Sequence, residues 1–382
     1  MIYPDRHHSF FRIILVSIFL LSIYTSSNGS LNEPDQIVDP VRFTFLHPTL
    51  RSIKIIISLK DQGFLPQDLA ATGVYHEKEL TDFKKAQEFI ETNKVSWIKF
   101  YKISGELNSD QLFQKNPQTV EFVRIFQESD GIVFFGGPDI PPSVYSKKTN
   151  LLTEIRTPFR HYLELSFVFH LFGGNQNKQF KPLLDESPFL PVMGLCLGCQ
   201  TLNVGTGGTL IQDIWSDVYE KKYVEDIIAM PPDTWHSNPL ARIHPEKRPF
   251  PLNLHPIKFI EEGKFVRVFG FKPEETPLVL SSHHQMADKL GKGWRIIATS
   301  LDGKVVEAIE HIKFPNALGV QFHPEYLLDV LHEKRYKAFK SDQFIDDSFE
   351  RLRNTPSSIP FNQKIWIWFS EKMIDHRNLS RR

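Results

Sequence analysis

GLCLGCQTLN (Gly194–Asn203) contains both cysteines of the chain, Cys196 and Cys199. The residues before Cys196 form a short apolar run typical of a strand, and those after it have helical spacing. Glycines two residues to either side, Gly194 and Gly198, let the flanking backbone approach without Cβ clashes, as a sharp strand-to-helix turn requires. Unpaired N–H groups at the start of the helix would stabilise a thiolate there. The pattern fits a nucleophilic Cys196, and for this motif alone a buried core cysteine fits equally well.

Short apolar segments alternate with helical ones around this motif. Strands are predicted at Ser52–Leu59, Val95–Ile103, Asp130–Gly137 and Leu190–Cys196. A helix is predicted between the second and third of these, at residues 117–129. This alternation predicts an α/β fold, a mainly parallel central sheet covered by helices on both faces. The second half is richer in strands and tight turns, which indicates an added β-rich section.

The charge of the chain is balanced. Its 382 residues include 45 Lys and Arg and 45 Asp and Glu, so no net field would attract nucleic acid or an anionic membrane. A chain of this length can bury a large core. The balanced charge does not exclude a small-molecule substrate that binds in a locally charged pocket. No nucleic-acid partner is therefore expected.

The N-terminus has the layout of a secretory signal. Polar and basic residues precede an apolar run over residues 13–25, and small polar residues follow. Residues 1–29 are predicted to be a signal peptide that exports the chain to the outside, a periplasm or a lysosome-like lumen, and an uncleaved membrane anchor is the alternative. A lead-in (30–50), a main domain (51–335) and a C-terminal extension (336–382) ending in a helix are expected to follow.

The motif GVQFHPEY supplies a base. His323 follows an apolar strand, and Pro324 fixes the chain so that Glu325 can reach the same side. A carboxylate that orients an imidazole, which in turn activates a thiol, is a known nucleophile–base–orienter arrangement. A strand end with a surface acid is the alternative for this motif alone.

Two further strand ends carry small or polar residues. Gly136 and Gly137 let backbone N–H groups approach a developing oxyanion, with the N–H of Leu197 as partner, or they form a simple turn. The segment SSHHQM can bind the polar end of a substrate. Its histidines, with His244 and His255, share no ligand-like spacing with a carboxylate or cysteine, so no metal site is expected. The Pro- and His-rich residues 230–256 are predicted to form a long surface loop beside the site.

Together, these segments resemble class I glutamine amidotransferases, and in particular the gamma-glutamyl-gamma-aminobutyrate hydrolase branch, the peptidase C26 family. The stretches that carry the resemblance are GGPDIPPSVY, GLCLGCQTLNVGTGGTLIQDI, SSHHQMADKLGKG, DGKVVEAIE and GVQFHPEY. The resemblance covers about residues 53–328. It implies a flavodoxin-like three-layer α/β/α sandwich that hydrolyses a γ-glutamyl amide of a small molecule without a cofactor.

The resemblance also implies roles for individual residues. Cys196 would attack the γ-carbonyl and form a thioester, with His323 moving protons and Glu325 orienting it. The N–H groups of Gly137 and Leu197 would hold the oxyanion. The substrate-binding positions it implies are Gly136, Gln200, Ser282 and His283, the last two through their backbone.

The chain also departs from the family. Leu280 replaces a usual Asn, residues 173–188 form a long insert before the nucleophile strand, and residues 230–256 are unusual. These departures border the expected pocket mouth, so they leave the leaving group open. In having a signal for export, the chain resembles instead the folate γ-glutamyl hydrolases. Folate poly-γ-glutamate is therefore an alternative substrate.

Other functions remain as alternatives. A thiol–disulfide oxidoreductase would use Cys196 and Cys199 as its pair and would not need His323, and a catalytically inactive binding protein would retain the motifs without turnover. No synthetase subunit is expected for an exported chain, and a homo-oligomer is allowed. A Cys196–Cys199 disulfide is hypothesised as an oxidative off-switch.

Overall fold

Ten strands form the central sheet of the described residues. The computed structural model describes residues 39–247, 251–333, 351–352 and 354–381, so the predicted signal peptide lies outside them. The strands are β1 (Val41–Leu46), β2 (Leu69–His76), β3 (Ile98–Ile103), β4 (Gly131–Phe134), β5 (Val192–Leu195), β6 (Leu210–Ile211), β7 (Asn253–Phe259), β8 (Leu278–Ser281), β9 (Met286–Ala287), β10 (Trp294–Ser300), β11 (Val306–His311) and β12 (Ala317–Val320).

The order of the strands is β3-β2-β1-β4-β5-β12-β11-β10-β7-β8. Neighbours from β3 to β12 pair in parallel, and those from β12 to β8 pair antiparallel. The run β2-β1-β4-β5-β12 has the 2-1-3-4-5 order of flavodoxin-like folds, in which ligands bind beyond the carboxyl ends of the strands. The predicted α/β class, the parallel sheet and the added β-rich section are confirmed. Strands β6 and β9 form a separate pair.

Helices cover both faces of the sheet. They are α1 (Leu50–Asp61), α2 (Lys84–Thr92), α3 (Thr119–Gln127), α4 (Pro158–Phe172), α5 (Leu197–Gly205), α6 (Ile214–Asp217), α7 (Val224–Ile228), α8 (Leu240–Ile243), α9 (Lys264–Arg267), α10 (Pro324–Glu333) and α11 (Ser358–Ser380), with short 3-10 turns at Pro142–Tyr145, Leu183–Asp185, Pro232–Thr234 and Pro245–Lys247. One apolar cluster joins the sheet to α1 and α11, and another joins it to α3, α4 and α5. Within the described ranges, no helix is both long and apolar enough to span a bilayer.

The first predicted strand is wrong. Ser52–Leu59 lies within α1, where Thr49 caps the helix by accepting a hydrogen bond from the Ser52 N–H at 3.2 Å. Its buried residues follow helical spacing, and a short run of β-branched residues does not distinguish a buried strand from a buried helix. The true first strand, β1, lies inside the predicted lead-in and pairs with β2 and β4.

The structure adds detail to two other predictions. In the Pro- and His-rich segment predicted as a surface loop, Trp235 and His236 are buried, and residues 253–256 lie in β7. The expected C-terminal helix is α11, and it packs into the core. Trp366 is fully buried there, and Met373 packs so closely on Gly131 that a Cβ at that position would clash.

Candidate active site

Cys196 lies at a strained turn between β5 and α5. Its φ of 54° and ψ of −108° are unusual for a residue with a side chain. The turn is possible because a Cβ at Gly194 would collide with the Gly198 backbone, and a Cβ at Gly198 would collide with the carbonyl of Phe134. The predicted glycine-flanked elbow is therefore present, and strain of this kind is concentrated at functional sites.

Three strand ends meet at this turn. Gly194 of β5 pairs with Phe134 of β4 on one side and with Gly319 of β12 on the other. The three strands therefore end at nearly the same level. This register brings the Gly-Gly loop after β4, Cys196 after β5 and His323 after β12 to one edge of the sheet.

His323 is held between Glu325 and the cysteine. Its Nδ1 lies 2.7 Å from Glu325 Oε1, and Glu325 is fully buried. The ring of Tyr326 stacks on the imidazole with centroids 4.4 Å apart. The Nδ1–H therefore donates to the carboxylate, which leaves Nε2 for proton exchange.

The electrostatics of the pair favour a charged imidazole. Burial opposes that charge, but Cys196 and Glu325 act more strongly, through their charges and through hydrogen bonds to the ring, and raise the pKa of His323 well above its usual range. A thiolate beside an imidazolium is the reactive form of a cysteine nucleophile.

The Gly-Gly loop packs directly against the pair. A Cβ at Gly136 would lie 2.8 Å from His323 Cε1, and one at Gly137 would lie 3.1 Å from the Leu197 side chain. Leu197 is the first residue of α5, where N–H groups lack helical acceptors. The two residues predicted to supply the oxyanion donors, Gly137 and Leu197, are therefore in contact range.

Arg160 supports this loop, a role that was not predicted from the sequence. Its Nη2 donates to the carbonyls of Phe135 and Gly136 at 2.8 and 3.1 Å, and its Nε donates to Glu164 at 2.7 Å. Both side chains of this ion pair are about 1% exposed. Their spacing of four on α4 was a helical pairing signal in the sequence, but nothing there connected it to the loop.

Two adjoining cavities open at the site. The first, of about 320 Å³, is lined by Cys196, His323, Gly136, Gly137, Arg51 and Ser282 among others. The second, of about 570 Å³, shares Arg51, Gly137 and Ser282 with it. Its remaining lining carries both charges, from Asp139, Glu154, Arg156 and Arg242. The first cavity is therefore lined by both Cys196 and His323, and the second is more polar and lies beside it.

The residues predicted to bind substrate are only partly brought together. Gly136 and Ser282 line the first cavity. Gln200 does not, because its amide donates to the Gln285 carbonyl and to Gln321, each at 3.3 Å. The His283 N–H donates to the His236 carbonyl at 2.9 Å, so it is already used.

His284 links the loop after β4 to the start of α6. Its ring nitrogens lie 3.1 Å from Asp139 and 3.1 Å from Asp213. Burial opposes protonation, but the two carboxylates raise the pKa of His284 to about 9. This imidazolium stabilises the wall of the second cavity, and sequence reasoning assigned it no role.

The second cysteine faces away from the cavities. Both cysteines are free and buried, and the Cys199 thiol packs on Gly319 of β12. Burial, followed by the nearby Cys196, raises the pKa of Cys199. A neutral thiol packed against the sheet is a poor redox partner, which disfavours the oxidoreductase alternative.

Known proteins are similar in sequence to this chain. Residues 111–325 match the peptidase C26 family, and the match ends at Glu325. The chain belongs to this family. The glutamine amidotransferase-like protein YvdE of Lactococcus lactis is 28% identical over 242 residues, which cover 63% of this chain and 85% of that protein. A glutamine amidotransferase-like protein of Rickettsia prowazekii is 32% identical over 218 residues, which cover 52% of this chain and 72% of that protein.

A third relative has a more specific name. This chain is 30% identical to the gamma-glutamyl-gamma-aminobutyrate hydrolase PuuD of Escherichia coli over 138 residues, which cover 36% of this chain and 46% of that protein. The predicted family is confirmed, and membership supports amide hydrolysis as the general reaction class.

Proposed function

We propose that this protein hydrolyses a γ-glutamyl amide bond with Cys196 as nucleophile, His323 as acid and base, and Glu325 as the residue that orients it. The observation that carries the proposal is the strained Cys196 turn beside a buried His323–Glu325 pair. Cys196 is buried at the end of a strand, and together with Glu325 it raises the pKa of His323, which favours the imidazolium. In the proposed cycle Cys196 attacks as a thiolate whose proton is carried by His323, so no further base is needed.

The first half-reaction forms a thioester. The Cys196 sulfur bonds to the γ-carbonyl carbon, and the carbonyl π electrons move onto oxygen. The N–H groups of Gly137 and Leu197 stabilise this oxyanion, an interaction worth about 10²–10³ in rate for each donor in related chemistry. His323 then gives its proton to the leaving nitrogen as the C–N bond breaks.

The second half-reaction consumes water. His323, now neutral, accepts a proton from water as the water oxygen attacks the thioester carbon. The C–S bond breaks, the sulfur leaves as a thiolate and glutamate is released. The imidazolium is restored, so the cycle needs only water and no cofactor.

The cavities support a small substrate with a carboxylate. Arg51 is exposed at the mouth that both cavities share, where its guanidinium can bind the α-carboxylate of a glutamyl group. The first cavity has the volume of a small ligand site. The second offers both charges to a polar leaving group, including the amines of γ-glutamyl amides.

Folate poly-γ-glutamate is the second candidate substrate, because the N-terminal signal layout of this chain resembles that of the exported folate γ-glutamyl hydrolases. It requires a pteridine-bearing chain to pass through the second cavity. Parallel assays of glutamate release from γ-glutamyl amides, γ-glutamyl dipeptides and a folate diglutamate separate the two.

The test is the Cys196→Ala variant, with Cys199→Ala as its matched control. We expect Cys196→Ala to release no glutamate and to form no acyl-enzyme of increased mass, while Cys199→Ala retains both. Circular dichroism checks that the fold survives. Turnover by Cys196→Ala would overturn the proposal.

Export through residues 1–29 is proposed on the sequence layout alone. Mass spectrometry of the secreted fraction would identify a mature N-terminus near residue 30. A full-length chain retained in membranes would instead indicate an anchor.

A further inference from the structure

Four buried side chains converge behind the second cavity: His236, His255, His283 and Glu307, here termed the His/Glu cluster. One nitrogen or oxygen of each lies within 4.8 Å of those of the others. All four are at most 4% exposed. We propose that this cluster is a binding site for a divalent transition metal ion, with Zn²⁺ as the ion it fits best.

The cluster has ligand atoms without partners. Neither ring nitrogen of His236 makes a well-directed hydrogen bond, and neither does Nε2 of His283 or either oxygen of Glu307, although His236 Nδ1 and Glu307 Oε1 lie 3.1 Å apart. Buried polar atoms are almost always paired, because leaving one without a partner costs about 1–3 kcal/mol or more. Three residues that each bring such an atom to the same cluster, His236, His283 and Glu307, indicate a ligand that the chain itself does not supply.

The histidines are oriented as metal ligands are. His283 Nδ1 lies 3.0 Å from the Gln285 carbonyl, so this nitrogen donates and Nε2 keeps its lone pair for the cluster. His255 Nδ1 lies 3.3 Å from the Pro256 carbonyl, so its Nε2 also keeps its lone pair. A second-shell carbonyl on the other ring nitrogen is the usual companion of a metal-bound histidine. His255 Nε2 now accepts from Ser281 Oγ at 2.9 Å, and that hydroxyl would have to rotate away.

The carboxylate is aimed by an irregularity in β11. Thr299 of β10 pairs with Val306 and Ala298 with Ala308, which leaves Glu307 as an extra residue. Such a bulge re-aims a side chain. Its Oε1 lies 3.1 Å from His236 Nδ1 and 3.8 Å from both His255 Nε2 and His283 Nε2.

The donor set selects the ion. Three imidazole nitrogens and one carboxylate oxygen, with no open side to solvent, match a closed four-coordinate zinc site. Ligand atoms about 2.0–2.1 Å from Zn²⁺ lie about 3.4 Å apart in a tetrahedron, so atoms that are now up to 4.8 Å apart need to approach each other by about 1.4 Å.

The site would tie the segment of residues 230–256 to the sheet. His236 comes from that segment, and the next residue, Ser237, lines the second cavity. The rings of Trp215 and Tyr219 pack on His236 with centroids 5.9 and 6.4 Å away. The ion is thus a structural clamp on the cavity wall, separate from the proposed chemistry at Cys196, and the inference does not rest on the proposed function.

The test measures metal content of the untagged full-length chain in a Cys196→Ala background, which removes a competing thiolate ligand. We expect about one Zn²⁺ per chain after gel filtration in metal-free buffer. Glu307→Gln and His236→Gln should each lower this at least tenfold. The matched control is His244→Gln, which removes a half-exposed histidine of the same segment and should retain the ion.

Two further readouts keep the inference falsifiable if the ligand variants do not fold. Chelator should lower the melting temperature of the parent chain, and Zn²⁺ alone should restore it. Co²⁺ in place of Zn²⁺ should give the visible bands of a tetrahedral site. A chain that holds less than a tenth of an equivalent of Zn²⁺ and shows no shift in melting temperature overturns the inference, as does equal binding by foldable Glu307→Gln.

Discussion

The guanidinium of Arg160 fills the space in which a side chain at Gly137 would lie. The loop that carries one proposed oxyanion donor is therefore held in place by the buried guanidinium of Arg160, which donates hydrogen bonds to the carbonyls of Phe135 and Gly136 in that loop. Gly137→Ala forces either the loop or Arg160 to move. We expect kcat/KM for glutamate release to fall about 10²-fold, the value of one misplaced donor. Unchanged kcat/KM in a folded Gly137→Ala variant would contradict this role of the loop.

Removing Arg160 should destabilise the chain more than removing the whole ion pair. Arg160→Met leaves Glu164 buried without its cation, and breaking a buried pair in this way costs about 3–5 kcal/mol of unfolding free energy. In the Arg160→Met/Glu164→Leu variant, no charge is left unpaired, so part of the loss should be recovered. Urea unfolding of the wild type, both single variants and the double variant measures the coupling. A double variant no more stable than Arg160→Met would refute it.

Glu325→Gln should change the pH profile as well as the rate. The carboxylate helps to raise the pKa of His323, so its removal lowers that pKa. The alkaline limb of kcat/KM, where the imidazolium is lost, should move to lower pH by about one unit or more. The rate should fall by about 10²–10⁴, because the imidazole is no longer oriented. Glu261→Gln, an exposed carboxylate elsewhere, should leave the profile unchanged, and an unshifted limb in Glu325→Gln would argue against the pair.

His284 should make stability depend on pH. Its pKa is raised in the folded chain to about 9 from a usual value of 6.5, so the folded state binds the extra proton. The resulting stabilisation is fully present below about pH 6.5 and is lost as pH rises through about 9. The difference in unfolding free energy between the wild type and His284→Gln should therefore shrink by at most about 3 kcal/mol over that window. A difference that stays constant with pH would show that His284 is not charged.

Oxidant sensitivity should reside in Cys196 alone. The sequence suggests an alternative, a Cys196–Cys199 disulfide that switches the protein off. In the structure, Cys199 packs against Gly319 and away from the cavity. We expect mild oxidant to inactivate the wild type and Cys199→Ser at equal rates, with recovery by thiol reductant. Protection in Cys199→Ser would instead establish the disulfide switch.

Sequence reasoning succeeded where chemistry was local and failed where it depended on packing. The glycines around Cys196 and the pair His323 and Glu325 lie within short motifs, so their geometry followed from spacing. The Ser52–Leu59 segment was misread because one short apolar run satisfies both a strand and a helix. The strand β1 was missed because it lies among prolines and aspartates.

The His/Glu cluster shows the limit more clearly. His236 and His255 lie 19 residues apart in the segment 230–256, and His283 and Glu307 come from two other parts of the chain, so the sequence shows no ligand-like spacing. The expected absence of a metal site rested on that spacing. Arg160 was missed for the same reason, since only the fold brings α4 beneath the Gly-Gly loop.

The burial of α11 has a consequence for how the chain folds. The ring of Phe43 on the first described strand meets that of Phe369 on the last described helix, with centroids 6.2 Å apart. Contacts between such distant parts of a chain form slowly, because a very long loop must close before they gain anything. During synthesis β1 therefore emerges long before its cover, and its apolar face must be protected until α11 arrives. Cys196, the Gly-Gly loop and His323 all precede α11 in the chain, so one face of the sheet that aligns them is covered only after α11 has been made.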